Sequence, residues 1–340
     1  MNPFFHSRLS PVIIALFIAS FGHAWGQADP TSKFVEGARK EGQLLLYTSM
    51  SVGDHTKYVE LFNKRYPFIQ VNVRRAGSDR LITLITTEHR AGKALFDVVM
   101  GSGFGLSFVR SGIFANYLSP ETKHLAEGTK DPEGYWADTY VNGIGVTYNT
   151  RMVPRDKVPK RWEDLLDPIW KGKKIAIDNE PYEWFDAVVR MIGKDKGREF
   201  MRRLGRQELA VQRGYTIRAQ QLAAGEFPLC LCYVHQVDRL RKQGAPVDWP
   251  KNEALFIVNV LHPILIAAKA EHPNSARLFY DYTLSKEGQQ LMVRLGRIGS
   301  SRLDVETEIP KIVRFVPEDL NVYDRIQEVR AESESLLGIK

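Results

Sequence analysis

The chain has 340 residues, 44% hydrophobic and 26% charged, a globular composition that excludes a disordered chain, a collagen-like repeat and a small disulfide scaffold. At about 100–200 residues per domain, this length points to two domains. Lys and Arg number 47 against 40 Asp and Glu, a net charge of +7, but no run of like charge gathers the excess into an arm and no basic, aromatic-interleaved motif points to nucleic acid.

The first element is an export signal. Arg8 is followed by the apolar stretch Val12 to Phe21 and then by the small-residue site Ala24-Trp25-Gly26, with Gly26-Gln27-Ala28 as the alternative. A basic start, a short apolar centre and a small-x-small site form a secretory signal peptide, here residues 1–26 or 1–28. The apolar stretch is shorter than the roughly 20 residues needed to span a bilayer. With no Cys near the cleavage site, no lipid anchor is expected. An exported, unanchored, soluble protein fits a bacterial periplasm.

Strands and helices then alternate. Gln43 to Ser49 reads as a strand. Asp54 is placed to cap the helix in which Tyr58, Leu61, Phe62 and Tyr66 recur at helical spacing, and Pro67 ends it. Ile69 to Val73 is the next strand, Gly77-Ser78 opens a second helix, and Phe96 to Met100 is a third strand. This is an α/β layer with a mainly parallel sheet. After the extended stretch Val141 to Tyr148, a second block follows. Its strands are Lys174 to Ile177, Leu209 to Val211 and Leu229 to Cys232, and its helices are Tyr182 to Ile192, Lys194 to Leu204, Thr216 to Ala224 and one through Lys242. A third section has extended runs at Leu255 to Val260 and Ile264 to Ala268, then helices at Ser275 to Leu284 and Lys286 to Leu295. No repeat and no low-complexity linker interrupts the chain. Cys230 and Cys232 are the two cysteines. On a strand they face the same side. Bridge geometry is restrictive, so they read as two small buried apolar residues, and a thiolate zinc site lacks the other ligands.

Several stretches in order resemble a periplasmic solute-binding protein of an ABC importer, the two-lobed, ferric-iron-type class. They include Leu45-Leu46-Tyr47-Thr48-Ser49, Phe96-Asp97-Val98-Val99, Tyr148-Asn149-Thr150, Trp162 through Lys173, Leu222-Ala223-Ala224-Gly225-Glu226, Gly244 through Trp249, and Leu284 through Gln289. The resemblance implies the class II, Venus-flytrap fold with two crossover hinge strands near 141–148 and 255–260. One lobe would comprise 29–140 plus 262–305, the other 145–256 plus about 306–340. It also implies capture of a ligand between the lobes and delivery to an inner-membrane permease and its ATPase by a monomer, with no cofactor and no catalysis. A sensor subunit that presents ligand to a membrane receptor is the alternative. A periplasmic enzyme is disfavoured, since no G-x-S-x-G, H-E-x-x-H or C-x-x-C motif is present.

Ligands of open α/β sheets sit at strand carboxyl ends, beside helix N-termini. The loops at such positions offer Thr48 and Ser49, Ser78 and Asp79, Ser102, and Arg213 with Tyr215. Tyr148, Glu180, Tyr182, Tyr233 and His235 join them as candidate ligand-binding residues. Ferric-binding relatives use two adjacent tyrosines after the strand matching Leu229 to Cys232, whereas this chain reads Cys232-Tyr233-Val234-His235 and keeps one. Metal ligation therefore points to a mixed set: Tyr233, His235, Tyr148, Tyr182 and His55. Two ligand classes remain open: Fe³⁺ or another metal, with or without an anion, carried as cargo; or a small organic anion held by Arg213 and the hydroxyl loops.

Overall fold

The computed structural model describes residues 32–339; the signal-peptide stretch lies outside the described residues. Among the described residues, thirteen strands are formed in chain order: β1 (Gln43–Thr48), β2 (Gln70–Arg75), β3 (Val98–Met100), β4 (Phe114–Ala115), β5 (Ala137–Asp138), β6 (Gly143–Asn149), β7 (Ile175–Asp178), β8 (Ala210–Gln212), β9 (Leu229–Tyr233), β10 (Val247–Asp248), β11 (Ile257–Asn259), β12 (Pro263–Ala267) and β13 (Phe315–Pro317). They make two sheets. The first has the order β2-β1-β3-β12-β4, with β5 also on β12; the second has the order β13-β11-β6-β9-β7-β8, with β10 on β6.

The expected parallel character holds for β2-β1-β3 and for β8-β7-β9. It is broken in the first sheet by β12 and in the second by β6, each antiparallel to its neighbours. Both are strands on which the chain has just crossed from the other sheet, so they enter from the opposite end. The parallel strands read as nearly continuous apolar runs because helices cover both faces. Leu44, Leu46, Val98, Val99 and Ile177 are buried within them.

Local signals set the helices. In the helix Val52–Arg65 the capping residue is Ser51, not Asp54: Ser51 is extended and its hydroxyl accepts from the Asp54 N–H at 3.2 Å. The Asp54 carboxylate is thereby left to pair with Arg297 at 2.7 Å. The apolar stripe of this helix puts Tyr58 and Phe62 wholly inside, a gain of about 1.5–3 kcal/mol for each.

The chain passes between the sheets three times: at 139–142, at 260–262, and between Arg302 and Phe315. Gly143–Asn149 and Ile257–Asn259 are strands inside the second sheet, so the first two passages are shorter than the stretches 141–148 and 255–260 suggested. Side chains explain the close approach there. A Cβ on Gly143 or Gly145 would meet the Ile257 side chain at 2.2 or 2.5 Å, so only glycine lets β6 and this side chain coexist. One buried carboxylate ties the passages together. Asp138 accepts from the His262 N–H at 2.7 Å, from Asn259 Nδ2 at 3.0 Å, and from the Ser301 hydroxyl. The C-terminal segment then folds back, and Leu320 packs into the apolar cluster of the first sheet with Phe104, Trp136 and Leu265.

Cys230 and Cys232 are joined as a disulfide, which corrects their reading as separate apolar residues. Their side chains lie on one face of β9 and their Cα atoms are 5.5 Å apart, inside the range that a bridge spans.

Candidate functional site

The carboxyl ends of the parallel strands of both sheets meet the returning C-terminal segment. From the first sheet come the loop after β1 and the loops opening the helix Ser78–Arg90 and following β3. Ser78 and Ser102 touch there, Oγ to Oγ at 3.2 Å. From the second sheet come the residues after β7, β8 and β9. Gly214, at φ +87°, turns the chain into the helix Tyr215–Ala224, a conformation that favours glycine. Tyr215 is thereby set against the end of β9. Its ring stacks on Tyr233, with centroids 4.0 Å apart and planes at 26°, and His235 stacks on Tyr233 at 5.4 Å.

Arg218 locks this arrangement. It is fully buried, paired with Asp178, donates to the carbonyls of Gln212 and Leu231 at 2.9 and 3.2 Å, and lies 4.3 Å over the Tyr215 ring. Its charge is thus spent on Asp178 and on structure.

Beside the tyrosine stack lies a second group. The Tyr323 hydroxyl is 2.9 Å from Glu318 Oε2 and 3.2 Å from Glu183 Oε1. Glu318 also accepts from the Leu261 N–H at 2.8 Å, at the second passage between the sheets. One phenolic proton cannot serve two carboxylates at once, so the pair is fully satisfied only when one carboxyl keeps its own proton. Burial pushes both acids up; Glu183 raises Glu318 further, and Asp178 and Glu180 raise Glu183. Burial likewise raises the phenols of Tyr215, Tyr233 and Tyr323, and nearby Glu183 adds to each. His235 is pushed down to about 3 by burial and by Arg297, so it is neutral at physiological pH.

The sequence candidates fall into three groups. Tyr215, Tyr233 and His235 come together, and Ser78 and Ser102 meet on the facing loops. Thr48 is buried, its hydroxyl accepting from the Met50 N–H at 3.1 Å, and Ser49 lies against Gly101. The rest do not join them. Tyr148 is in register with Leu229 and Asp248, whereas Ile144 is in register with Tyr233, so Tyr148 lies at the other end of β6. Glu180 faces Arg330 at 3.4 Å on the surface. Tyr182 is buried in the second sheet's core, with Arg330 and Glu334 of the helix Ile326–Leu337 nearby. Asp79 and Arg213 are exposed. His55 lies on the helix Val52–Arg65 with Arg75 and Asp54 as its charged neighbours. The five-residue metal set therefore does not converge, and among the described residues no three His, Cys, Asp or Glu side chains form a metal-sized group. Glu183, Glu318 and Tyr323 were missed. Glu183 carried a signal as a first-turn acid of a helix opening after a strand; Glu318 and Tyr323 sit in a charged tail with none.

Comparison with known proteins follows the same geometry. The family model of bacterial extracellular solute-binding proteins matches residues 93–316. An uncharacterized protein of Haemophilus influenzae is 24% identical over 274 residues, 76% of this chain and 78% of that one. Among solved structures, the Bordetella ferric binding protein superposes with a TM-score of 0.74 at 17% identity, over 88% of this chain and 100% of its own. Trichodesmium IdiA (FutA), in complex with iron and citrate, gives 0.71 at 20%, over 88% and 100%. The periplasmic binding protein AfuA from Actinobacillus pleuropneumoniae, with fructose-6-phosphate bound, gives 0.68 at 21%, again over 88% and 100%. These likenesses carry the two-lobed fold; the ligands belong to those proteins.

Proposed function

The chain belongs to the bacterial extracellular solute-binding protein family, and we propose that it is the periplasmic component of an ABC importer whose cargo is a hard metal cation, Fe³⁺ first among them. The observation that carries the cation is the group of buried Glu318 with half-buried Glu183 and Tyr323, beside the stacked Tyr215 and Tyr233. Oxygen donors of this kind suit hard cations. A cation entering there displaces the proton kept by one of the two acids, together with phenolic protons, and so gains two carboxylates and up to three phenolates. The missing tyrosine neighbour of Tyr233 is supplied in space by Tyr215.

A phosphate-bearing or carboxylate ligand finds less support in the same place. Arg218 is bonded to Asp178, Arg213 is exposed, and the two acids would repel an anion. On closure the ligand would touch both lobes, which shifts the chain toward the closed form that the permease recognises. Presentation to a membrane sensor uses the same step and differs only in the receiver.

The reading is tested by titrating metal-free protein with ferric citrate while following visible absorbance and melting temperature. A saturable tyrosinate-to-iron band and a rise in Tm are expected. Tyr233→Phe should lose the greater part of the band. Glu183→Gln with Glu318→Gln should weaken binding about 100-fold or more, since two charge-assisted contacts are lost. A Tm rise with a sugar phosphate and none with any metal would overturn the cation.

A further inference from the structure

Glu318 and Tyr323 sit on a short segment that touches both lobes in turn. Leu320 is buried in the first sheet's apolar cluster, and Val322 in the second sheet's. The Tyr323 ring packs against both. Arg325 pairs with Asp186 of the second lobe at 3.0 Å, and the helix Ile326–Leu337 that follows puts Val329 and Leu337 into that lobe's core. Between them Asp324 turns to the first lobe. Its carboxylate accepts from the Ser107 N–H at 3.0 Å and from the Ser107 hydroxyl at 2.6 Å. Ser107 belongs to the helix Leu106–Val109, which follows β3 of the first sheet.

Gly105 fits the contact from the first-lobe side. Its φ of −62° suits any residue, so backbone conformation does not call for glycine there. A Cβ at this position would overlap Asp324 Oδ1 and lie 3.3 Å from Tyr323 Cβ. The close approach of Asp324 is therefore what a side chain at 105 would forbid. The loop before it reaches the cargo group as well: a Cβ on Gly103 would lie 3.9 Å from the Tyr323 ring. Leu320 shares its cluster with Leu261 of the second passage, a place that moves little when the lobes turn about the passages. Asp324 is the next first-lobe contact along the segment. It is charge-assisted but exposed, so it can part in water without uncovering a core.

We propose that Asp324, Ser107 and Gly105 form a latch between the lobes, which holds the loop after β3 over Tyr323 and sets how fast cargo leaves. Asp324 is thus a positioning residue: it acts on the cargo through Tyr323 and the loop, not by touching the cargo itself. The control of release rests on the cargo reading given above; the holding of the lobes does not.

The test measures the distance between two spin labels in metal-free protein, one on each lobe, at the exposed positions Lys64→Cys and Lys196→Cys. The native cysteines are joined to each other and take no label. Asp324→Ala and Gly105→Ala remove the contact from opposite sides. Each should raise the ratio of open to closed molecules about fivefold, with the denaturation midpoint near the parent value. Ser107→Ala keeps the N–H bond and should shift the ratio less. Asp324→Ala combined with Gly105→Ala should shift it no further than either alone. Unchanged distances in both single variants, or effects that add in the double variant, would overturn the latch. In protein loaded with ferric citrate, the same two variants should release iron to a chelator about fivefold faster than the parent. Longer distances with unchanged release would overturn the control of cargo. Longer distances in a protein whose parent binds no iron would support the latch and overturn the cation.

Discussion

Glu183 and Glu318 share one phenolic proton, and that shortage gives the site a pH dependence with a definite sign. Burial pushes Glu183 up to about 7, while the unfolded chain titrates near the ordinary carboxylate value. Between those limits the folded protein holds a proton that the unfolded chain has lost. The acid pair therefore makes the ligand-free protein less stable as pH rises from about 4.5 to about 7. The cation replaces that proton, so its affinity should rise over the same window, by up to about tenfold per pH unit for each proton released. Calorimetry at pH 6 in two buffers of different ionisation enthalpy should report a net release of protons, smaller in Glu183→Gln with Glu318→Gln, where only phenolic protons remain to be lost. Equal heats in both buffers would contradict the role given to the pair. Only part of this was readable in the sequence. Tyr215, Tyr233 and His235 follow from strand ends, which are local. Glu180 and Tyr182 did not join them because the helix begins at Tyr182, and its first turn sends Glu183 toward Tyr323 while Tyr182 enters the core and Glu180 meets Arg330. Nothing local to Glu318 or Tyr323 says that the tail returns to the cleft.

Among the elements, the three passages depend together on one side chain. Asp138, just before the first passage, accepts from His262 in the second, from Asn259 just ahead of it and from Ser301 just ahead of the third. Asp138→Ala leaves three buried donors unpaired and should cost about 3 kcal/mol or more, read as a lower denaturation midpoint. Asp138→Asn keeps one acceptor oxygen and should cost less; equal loss for both, or none for either, would contradict this account. The elements were legible where period and punctuation are strong. Gln43–Thr48, the helix with Tyr58 and Phe62, and the helix Lys286–Arg294 fall near the expected ranges. Tyr148 shows where the reasoning ran out. The strand-end rule assumes a parallel strand, but β6 is antiparallel to β9, so its cleft end is Gly143 and Ile144 rather than Tyr148. Sheet order depends on pairing across the whole chain, which periodicity does not carry.

At the scale of the molecule, two sheets face each other across a site to which both contribute, and the third contributor is the C-terminal segment. Leu320 joins the first sheet's apolar cluster, and the exposed Asp324 carboxylate accepts from the Ser107 N–H at 3.0 Å and its hydroxyl at 2.6 Å. That segment extends beyond the stretch matched by the family model, which ends at residue 316, so two of the proposed cargo residues, Glu318 and Tyr323, lie past it. Among the described residues no helix is long and apolar enough to cross a membrane. The most direct measurement is a crystal structure of the protein grown with ferric citrate, with anomalous diffraction collected at the iron edge. The account predicts one strong peak within bonding distance of oxygens of Glu183 or Glu318 and of Tyr233. A density for an organic anion in that place with no anomalous peak, or iron bound elsewhere, would contradict it.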